Sequence, residues 1–181
     1  MLTTPVIRLS FSGSLSEFFS IQICLMKFVL LFLGKTRERY IQAGIRDYAQ
    51  RLNRYLPVDL VVLKEKTRPS MTDAQQKALE GRLLLERCGA GAMKVALDAR
   101  GQQPDSLELA KIVGGWEMRG VKKVVFLIGG PLGLAPEVLD QADFVLSLSR
   151  LTFTHELSRM LLLEQLYRAF SIKAGHRYHR E

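Results

Sequence analysis

Val124-Val125-Phe126-Leu127-Ile128-Gly129-Gly130-Pro131-Leu132-Gly133-Leu134 is the stretch on which the reading of the chain turns. An unbroken apolar run that ends at a glycine pair predicts a strand buried on both faces, stopping where the backbone must be approached closely. The Gly-Gly-Pro-Leu-Gly turn has little side-chain bulk, so it suits a flat, nucleoside-like body read by main-chain N–H and C=O groups. Polyphosphate fits poorly, because the Gly-x-Gly-x-x-Gly fingerprint and the Lys-Ser/Thr pair of a P-loop are both missing. The competing reading is a tight strand-to-helix turn with no ligand.

Working outward, apolar runs and helical periods alternate. Phe28 to Leu33 predicts a first strand, followed by a helix capped by Thr36 with Tyr40, Ile41, Ile45, Tyr48, Ala49 and Leu52 on one face. Leu56 and Pro57 end it, and Val58 to Leu63 form the next strand. Lys64 to Ser70 is a charged loop, either a solvated turn or a mobile basic arm for phosphates. Thr72 or Asp73 caps a helix running to about Cys88, and Gly89 and Gly91 release the chain. Met93 to Leu97 is the third strand, closed by a polar turn at Asp98-Ala99-Arg100-Gly101. Ser106 caps a helix over Leu107 to Arg119, where Gly114 and Gly115 each cost about 1 kcal/mol. After the Val124 to Ile128 strand come a helix from Pro136 and a fifth strand, Phe144 to Leu148. The alternation predicts an α/β fold, a parallel sheet with helices on both faces. Ligands of such sheets sit beyond the C-terminal strand ends. Leu97-Asp98, Ile128-Gly129-Gly130 and Leu148 to Phe153 are the ends that stand out.

With 181 residues, 48% of them hydrophobic, the chain is expected to form one folded domain. Its formal charge of +8 points to a polyanionic partner, RNA or DNA in preference to a membrane. Cys24 and Cys88 lie far apart, which argues against a disulfide framework and a zinc site and for a reducing cytoplasm. Residues 1–25 differ in composition, with Arg8 and Glu17 their only charges. They read as an N-terminal extension outside the domain, dispensable or an artefact of start-codon choice, leaving 26–181 as a single domain. Lys27 interrupts the apolar run from Ile21 to Leu33, so no export signal or membrane span is predicted. The last helix, about Glu156 to Ile172, is apolar around nearly its whole circumference, which predicts a second subunit packed on it as a two-fold dimer.

All three histidines, His155, His176 and His179, fall in a basic tail with Tyr178, Arg159, Arg168, Lys173, Arg177 and Arg180. That combination suits nucleic acid, with His and Tyr stacking on bases and Arg holding phosphate. No metal site is expected, because no carboxylate or thiolate joins the histidines at ligand spacing. The motifs Ile128-Gly129-Gly130-Pro131-Leu132-Gly133, Leu148-Ser149-Arg150-Leu151-Thr152-Phe153-Thr154-His155-Glu156-Leu157-Ser158-Arg159, Leu163-Glu164-Gln165-Leu166-Tyr167-Arg168-Ala169 and Tyr178-His179-Arg180-Glu181 closely resemble the RlmH family. These are SPOUT-class methyltransferases acting on a pseudouridine of the bacterial large ribosomal subunit. The resemblance runs from Met26 to Glu181. It departs at Thr154, where the family usually has proline, a change expected to loosen the entry to the last helix.

The resemblance implies a SPOUT α/β-knot with a C-terminal trefoil knot, an obligate homodimer, and S-adenosylmethionine bound bent in the knot loops. By position it places Leu97, Gly129, Gly130, Leu148, Ser149, Arg150, Leu151, Thr152 and Phe153 at the cofactor. His155, Arg159, Tyr178 and His179 are the candidates for substrate contact and catalysis. The expected reaction is methylation of N3 of a pseudouridine in 23S ribosomal RNA. A base engaged in pairing presents no N3 edge, so the target is expected in a loop or single strand. With little chain left for an RNA-binding domain, the assembled ribosome is expected to supply specificity. The alternative from another class is a noncatalytic ribosome-binding factor of the same fold.

Overall fold

A computed structural model describes residues 26–64, 70–176 and 178. Five strands and five helices follow in the order β1 (Lys27–Leu33), α1 (Arg39–Leu52), β2 (Val58–Leu63), α2 (Asp73–Cys88), β3 (Met93–Gln102), α3 (Ser106–Met118), β4 (Lys123–Ile128), α4 (Pro136–Asp140), β5 (Phe144–Leu146) and α5 (His155–Lys173). The strands form one parallel sheet in the order β2-β1-β4-β3-β5. Phe28, Leu30 and Phe32 of β1 and Val124, Phe126 and Ile128 of β4 meet α1, α3 and α5 on one face. The alternate residues Val29, Leu31, Leu33, Val125 and Leu127 meet α2 and α4 on the other. Burial on both faces is why the central strands read as unbroken apolar runs.

The caps show where local signals hold. Thr72 opens α2 with a capping box, its hydroxyl accepting from the Gln75 amide at 3.3 Å while Gln75 returns a bond to the Thr72 amide. Asp105, one residue before the expected Ser106, does the same for α3 with Glu108. Thr36 does not cap α1. The helix begins at Arg39, and the Thr36 hydroxyl instead accepts a hydrogen bond from Arg159. Tyr40, expected on the buried face, is 68% exposed. The expected loop at Lys64–Ser70 lies largely outside the described residues.

Asp98 to Gly101 is not a terminal turn. β3 continues to Gln102, and the register jumps so that both Leu97 and Gln102 face Leu146. The Asp98 carboxylate gathers the bulge by accepting from the Arg100 amide at 3.0 Å and from its guanidinium. A Cβ on Gly101 would lie 2.5 Å from the Val145 carbonyl oxygen, so only glycine fits this crossing. β5 ends at Leu146, earlier than expected, and the Ser147 amide donates to the Gln102 carbonyl at 2.8 Å.

α5 packs between α1 and α3 and over β4. Its core stripe is Arg159, Leu162, Leu163, Leu166, Ala169 and Phe170, so most of the apolar circumference is covered within the chain. Leu157 and Leu161, on the opposite side of the helix, stay half-exposed. No helix among the described residues is long and apolar enough to cross a membrane.

Candidate functional site

A cleft of about 560 Å³ opens at the C-terminal ends of β4 and β5, beside the bulge in β3. Its floor is Ile128 to Leu134, and its walls are Leu97 to Ala99, Leu148, Ser149, and Leu151 to His155 with Ser158. The size falls within the roughly 300–1,000 Å³ of small-ligand sites. Of the sequence-predicted cofactor residues, Leu97, Gly129, Gly130, Leu148, Ser149, Leu151, Thr152 and Phe153 line it. Arg150 is exposed and its side chain is not among the walls.

The floor is a loop folded on itself. Gly130 and Gly133 form an isolated antiparallel bridge, with the Gly133 amide donating to the Gly130 carbonyl at 3.0 Å, and Gly133 takes φ +75°. A Cβ on Gly129 would meet the Gly133 carbonyl carbon at 2.7 Å. Gly129 is thus required by the loop's own packing, a reason independent of ligand approach. Behind the loop stands Glu80, 1% exposed and absent from the sequence reading. Its Oε1 accepts from Gln76 at 2.9 Å, and its Oε2 would lie 3.7 Å from a Cβ on Gly130.

The opposite wall is pinned by hydroxyls. Ser147 donates to the Ser149 carbonyl at 3.1 Å, and the Ser149 hydroxyl accepts from the Leu151 amide at 2.9 Å. Thr154 is the N-cap of α5, its hydroxyl accepting from the Leu157 amide at 3.3 Å. Far from loosening the helix entry, it fastens it. Asp98 is the carboxylate in the walls, and hydrogen bonding from Arg100 holds it below the usual carboxylate range.

The four candidates for substrate contact separate. His155 opens α5 and lines the cleft. Arg159 is fully buried. Its guanidinium donates to the carbonyls of Leu33 and Gly34 and to the Thr36 hydroxyl, and lies 5.0 Å from the Phe32 ring centre. In this arrangement it does not reach the cleft and holds the loop after β1. Tyr178 packs edge-on against Tyr167 at 4.8 Å, and its hydroxyl donates to Glu164 at 3.2 Å. Burial first, then the Tyr48 hydroxyl, pushes its phenol up. Glu164 lies about 14 Å along α5 from His155 at 1.5 Å per residue, so Tyr178 does not meet its own chain's cleft. His179 lies outside the described residues.

A glycine-floored cleft at the C-terminal edge of a parallel sheet defines a nucleoside-binding α/β protein. The sequence profile described as "Predicted SPOUT methyltransferase" matches residues 26–179, and the chain belongs to that family. Its relatives include ribosomal RNA large subunit methyltransferase H of Desulfotalea psychrophila, 46% identical over 155 residues, covering 86% of this chain and all of that one. The protein of the same name from Acetivibrio thermocellus is 40% identical over 159 residues, with the same coverage. A probable methyltransferase from Bordetella pertussis superposes with a TM-score of 0.48 at 16% identity, over 80% of this chain and 95% of that one.

Members of this family take the methyl group from S-adenosylmethionine. The cleft fits that donor. It has room for a nucleoside, a main-chain floor, and an apolar wall at Leu97, Leu148 and Leu151. Among the described residues no cluster of three or more His, Cys, Asp or Glu could hold a metal ion.

Proposed function

We infer that the protein is a cytoplasmic homodimer that methylates N3 of a pseudouridine in 23S ribosomal RNA, on the assembled ribosome. The observation that carries this is the cleft. The floor at Gly129 and Gly130 and the walls at Leu97, Leu148, Ser149 and 151–153, residues far apart in the chain, meet in one donor-sized space with His155 at its edge. The names of the relatives, which cover their full length with this chain, support ribosomal RNA as the substrate.

When bound, S-adenosylmethionine supplies a methyl group already activated by its sulfonium. The protein's contribution is alignment, with Leu97, Gly129, Gly130 and the 148–153 segment holding the donor while the base is held in line. Pseudouridine N3 sits between two carbonyls and carries a proton, so it becomes nucleophilic as that proton leaves. His155 is placed to take the proton or to stabilise charge developing on the ring. Tyr178 lies on α5 away from its own cleft, and in the homodimer Tyr178 and His179 serve the cleft of the second subunit. The half-exposed Leu157 and Leu161 supply the face on which the subunits meet. Arg159 positions the loop after β1. The C-terminal segment forms the trefoil knot, supported by the tight crossing of Gly101 over Val145 and the Ser147 to Gln102 bond. Residues 1–25 stand outside the working unit.

Mass-spectrometric mapping of modified nucleosides in large-subunit RNA, with and without the gene, tests the reading. Loss of one methylated pseudouridine is expected, and an unchanged nucleoside map refutes it. Purified protein is expected to modify ribosomes well and free RNA poorly, and efficient turnover on naked RNA overturns the dependence on assembly. Calorimetry with S-adenosylmethionine separates the enzyme from a noncatalytic ribosome-binding factor, which gives no heat of binding.

A further inference from the structure

The loop from Lys35 into the first turn of α1 starts one strand over from the cleft floor. Phe32 of β1 pairs with Ile128, and a Cβ on Gly130 would lie 3.8 Å from that of Leu33. Two charged side chains of α5 hold this loop from beneath. Glu156, 9% exposed, accepts from the Arg37 amide at 3.0 Å and the Glu38 amide at 3.3 Å. Fully buried Arg159 grips Leu33, Gly34 and Thr36. Both lie in the same turns of α5 as His155 and Ser158, which line the cleft.

What is held so firmly faces outward. Lys35, Arg37, Arg39 and Tyr40 are all exposed, and none of the three cations has an ion pair among the described residues. Burying charge is costly, and a connection that only joined a strand to a helix would need no such anchoring. Cations carried on an anchored backbone beside an exposed aromatic ring fit a nucleic-acid strand, with phosphates on Lys and Arg and a base on Tyr. We propose that Lys35, Arg37, Arg39 and Tyr40 form a docking strip for the RNA strand flanking the target nucleotide. The proposal rests on the reading of the protein as a ribosomal RNA methyltransferase and adds where the RNA lies.

The test uses the full chain, purified large ribosomal subunits, and two variants, Lys35→Gln/Arg37→Gln/Arg39→Gln and Tyr40→Ala. Both leave the backbone amides held by Glu156 in place. Binding to subunits is followed against salt concentration, methyl transfer is read separately, and donor affinity and molecular mass are measured on free protein. In the triple variant the slope of log affinity against log salt is expected to flatten by about 0.7 for each lost phosphate contact. Tyr40→Ala is expected to weaken binding about tenfold or more through lost stacking. Donor affinity and mass stay those of the wild type. An unchanged slope with unchanged affinity for subunits overturns the proposal. So does a change in donor affinity or a fall to monomer, since the loop would then belong to the cleft or to a subunit contact. Wild-type protein that binds subunits but transfers no methyl group refutes the enzymatic reading, while the slope still decides the docking strip.

Discussion

Gly129→Ala isolates the packing of the cleft floor from any effect of backbone conformation. Gly129 has no positive φ, so alanine is allowed by its dihedrals, and the substitution acts through space alone. The new Cβ would lie 2.7 Å from the Gly133 carbonyl carbon, 2.9 Å from its oxygen and 3.0 Å from the Leu134 nitrogen. These are main-chain atoms that cannot rotate away, so the loop must open by about half an ångström or more, at an overpacking cost of about 1–3 kcal/mol. Where the opening persists in the free protein, that cost falls on closing the floor under the donor, a loss of roughly 5- to 150-fold in affinity. Gly115→Ala is the control. Nothing lies within 4 Å of its Cβ, and in the middle of α3 it is expected to gain about 1 kcal/mol. Urea unfolding and calorimetry with S-adenosylmethionine measure both variants. A Gly129→Ala protein with wild-type midpoint and wild-type donor affinity would refute the close-packed floor.

Arg159→Lys is expected to cost about 3–5 kcal/mol in urea unfolding despite keeping the charge, because one ammonium cannot serve Leu33, Gly34 and Thr36 as the guanidinium fork does; near-wild-type stability would contradict the latch. Burial pushes the Glu156 carboxyl up, but hydrogen bonds from the Arg37 and Glu38 amides, and then the nearby His155 and Arg159, bring it below its ordinary 4.5. A folded value below the unfolded one means its stabilisation is complete above about pH 4.5 and drains as pH falls through the folded value. Urea midpoints followed down from pH 6 should therefore decline less steeply in Glu156→Gln than in the wild type. Thr154→Ala should cost about 1 kcal/mol through the lost cap. Thr154→Pro suits the native φ of −61° and should recover about half of that by stiffening the unfolded chain; thermal unfolding ranks the three proteins.

The sheet was legible because its signals are local. A run apolar at every position is what a strand needs when Phe28 and Val29 face different cores, and the Thr72–Gln75 box lies within four residues of itself. The misread places are those whose partners lie far along the chain. Thr36 carries every local mark of a helix cap, yet its hydroxyl is taken by Arg159, 123 residues away. Asp98 to Gly101 reads as a turn because nothing near it announces that β5 will run alongside with no room for a Cβ at Gly101. The apolar circumference of α5 suggested a missing partner on all sides, whereas α1 and α3 cover most of it and leave a narrower face at Leu157 and Leu161.

The candidate site divides along the same line. Glycine floors advertise close backbone approach wherever they occur, so Gly129 and Gly130 stand out from the sequence alone, whereas Leu97, Leu148, Leu151 and Phe153 are marked there only as strand ends and are placed at the cofactor by the family resemblance. Arg159 and Tyr178 advertise only charge and an aromatic ring, and whether such a side chain faces a ligand or the core depends on what the fold brings to it. Here the core claims Arg159, and with Glu156 it fixes an exposed cationic loop near the cleft. Buried charge that fastens a surface segment couples recognition to the core, so a substitution at Arg159 should alter RNA affinity without touching RNA. Its loss should therefore raise the ribosome concentration needed for half-maximal transfer more than it changes donor affinity, a split that a side chain lining the donor cleft would reverse.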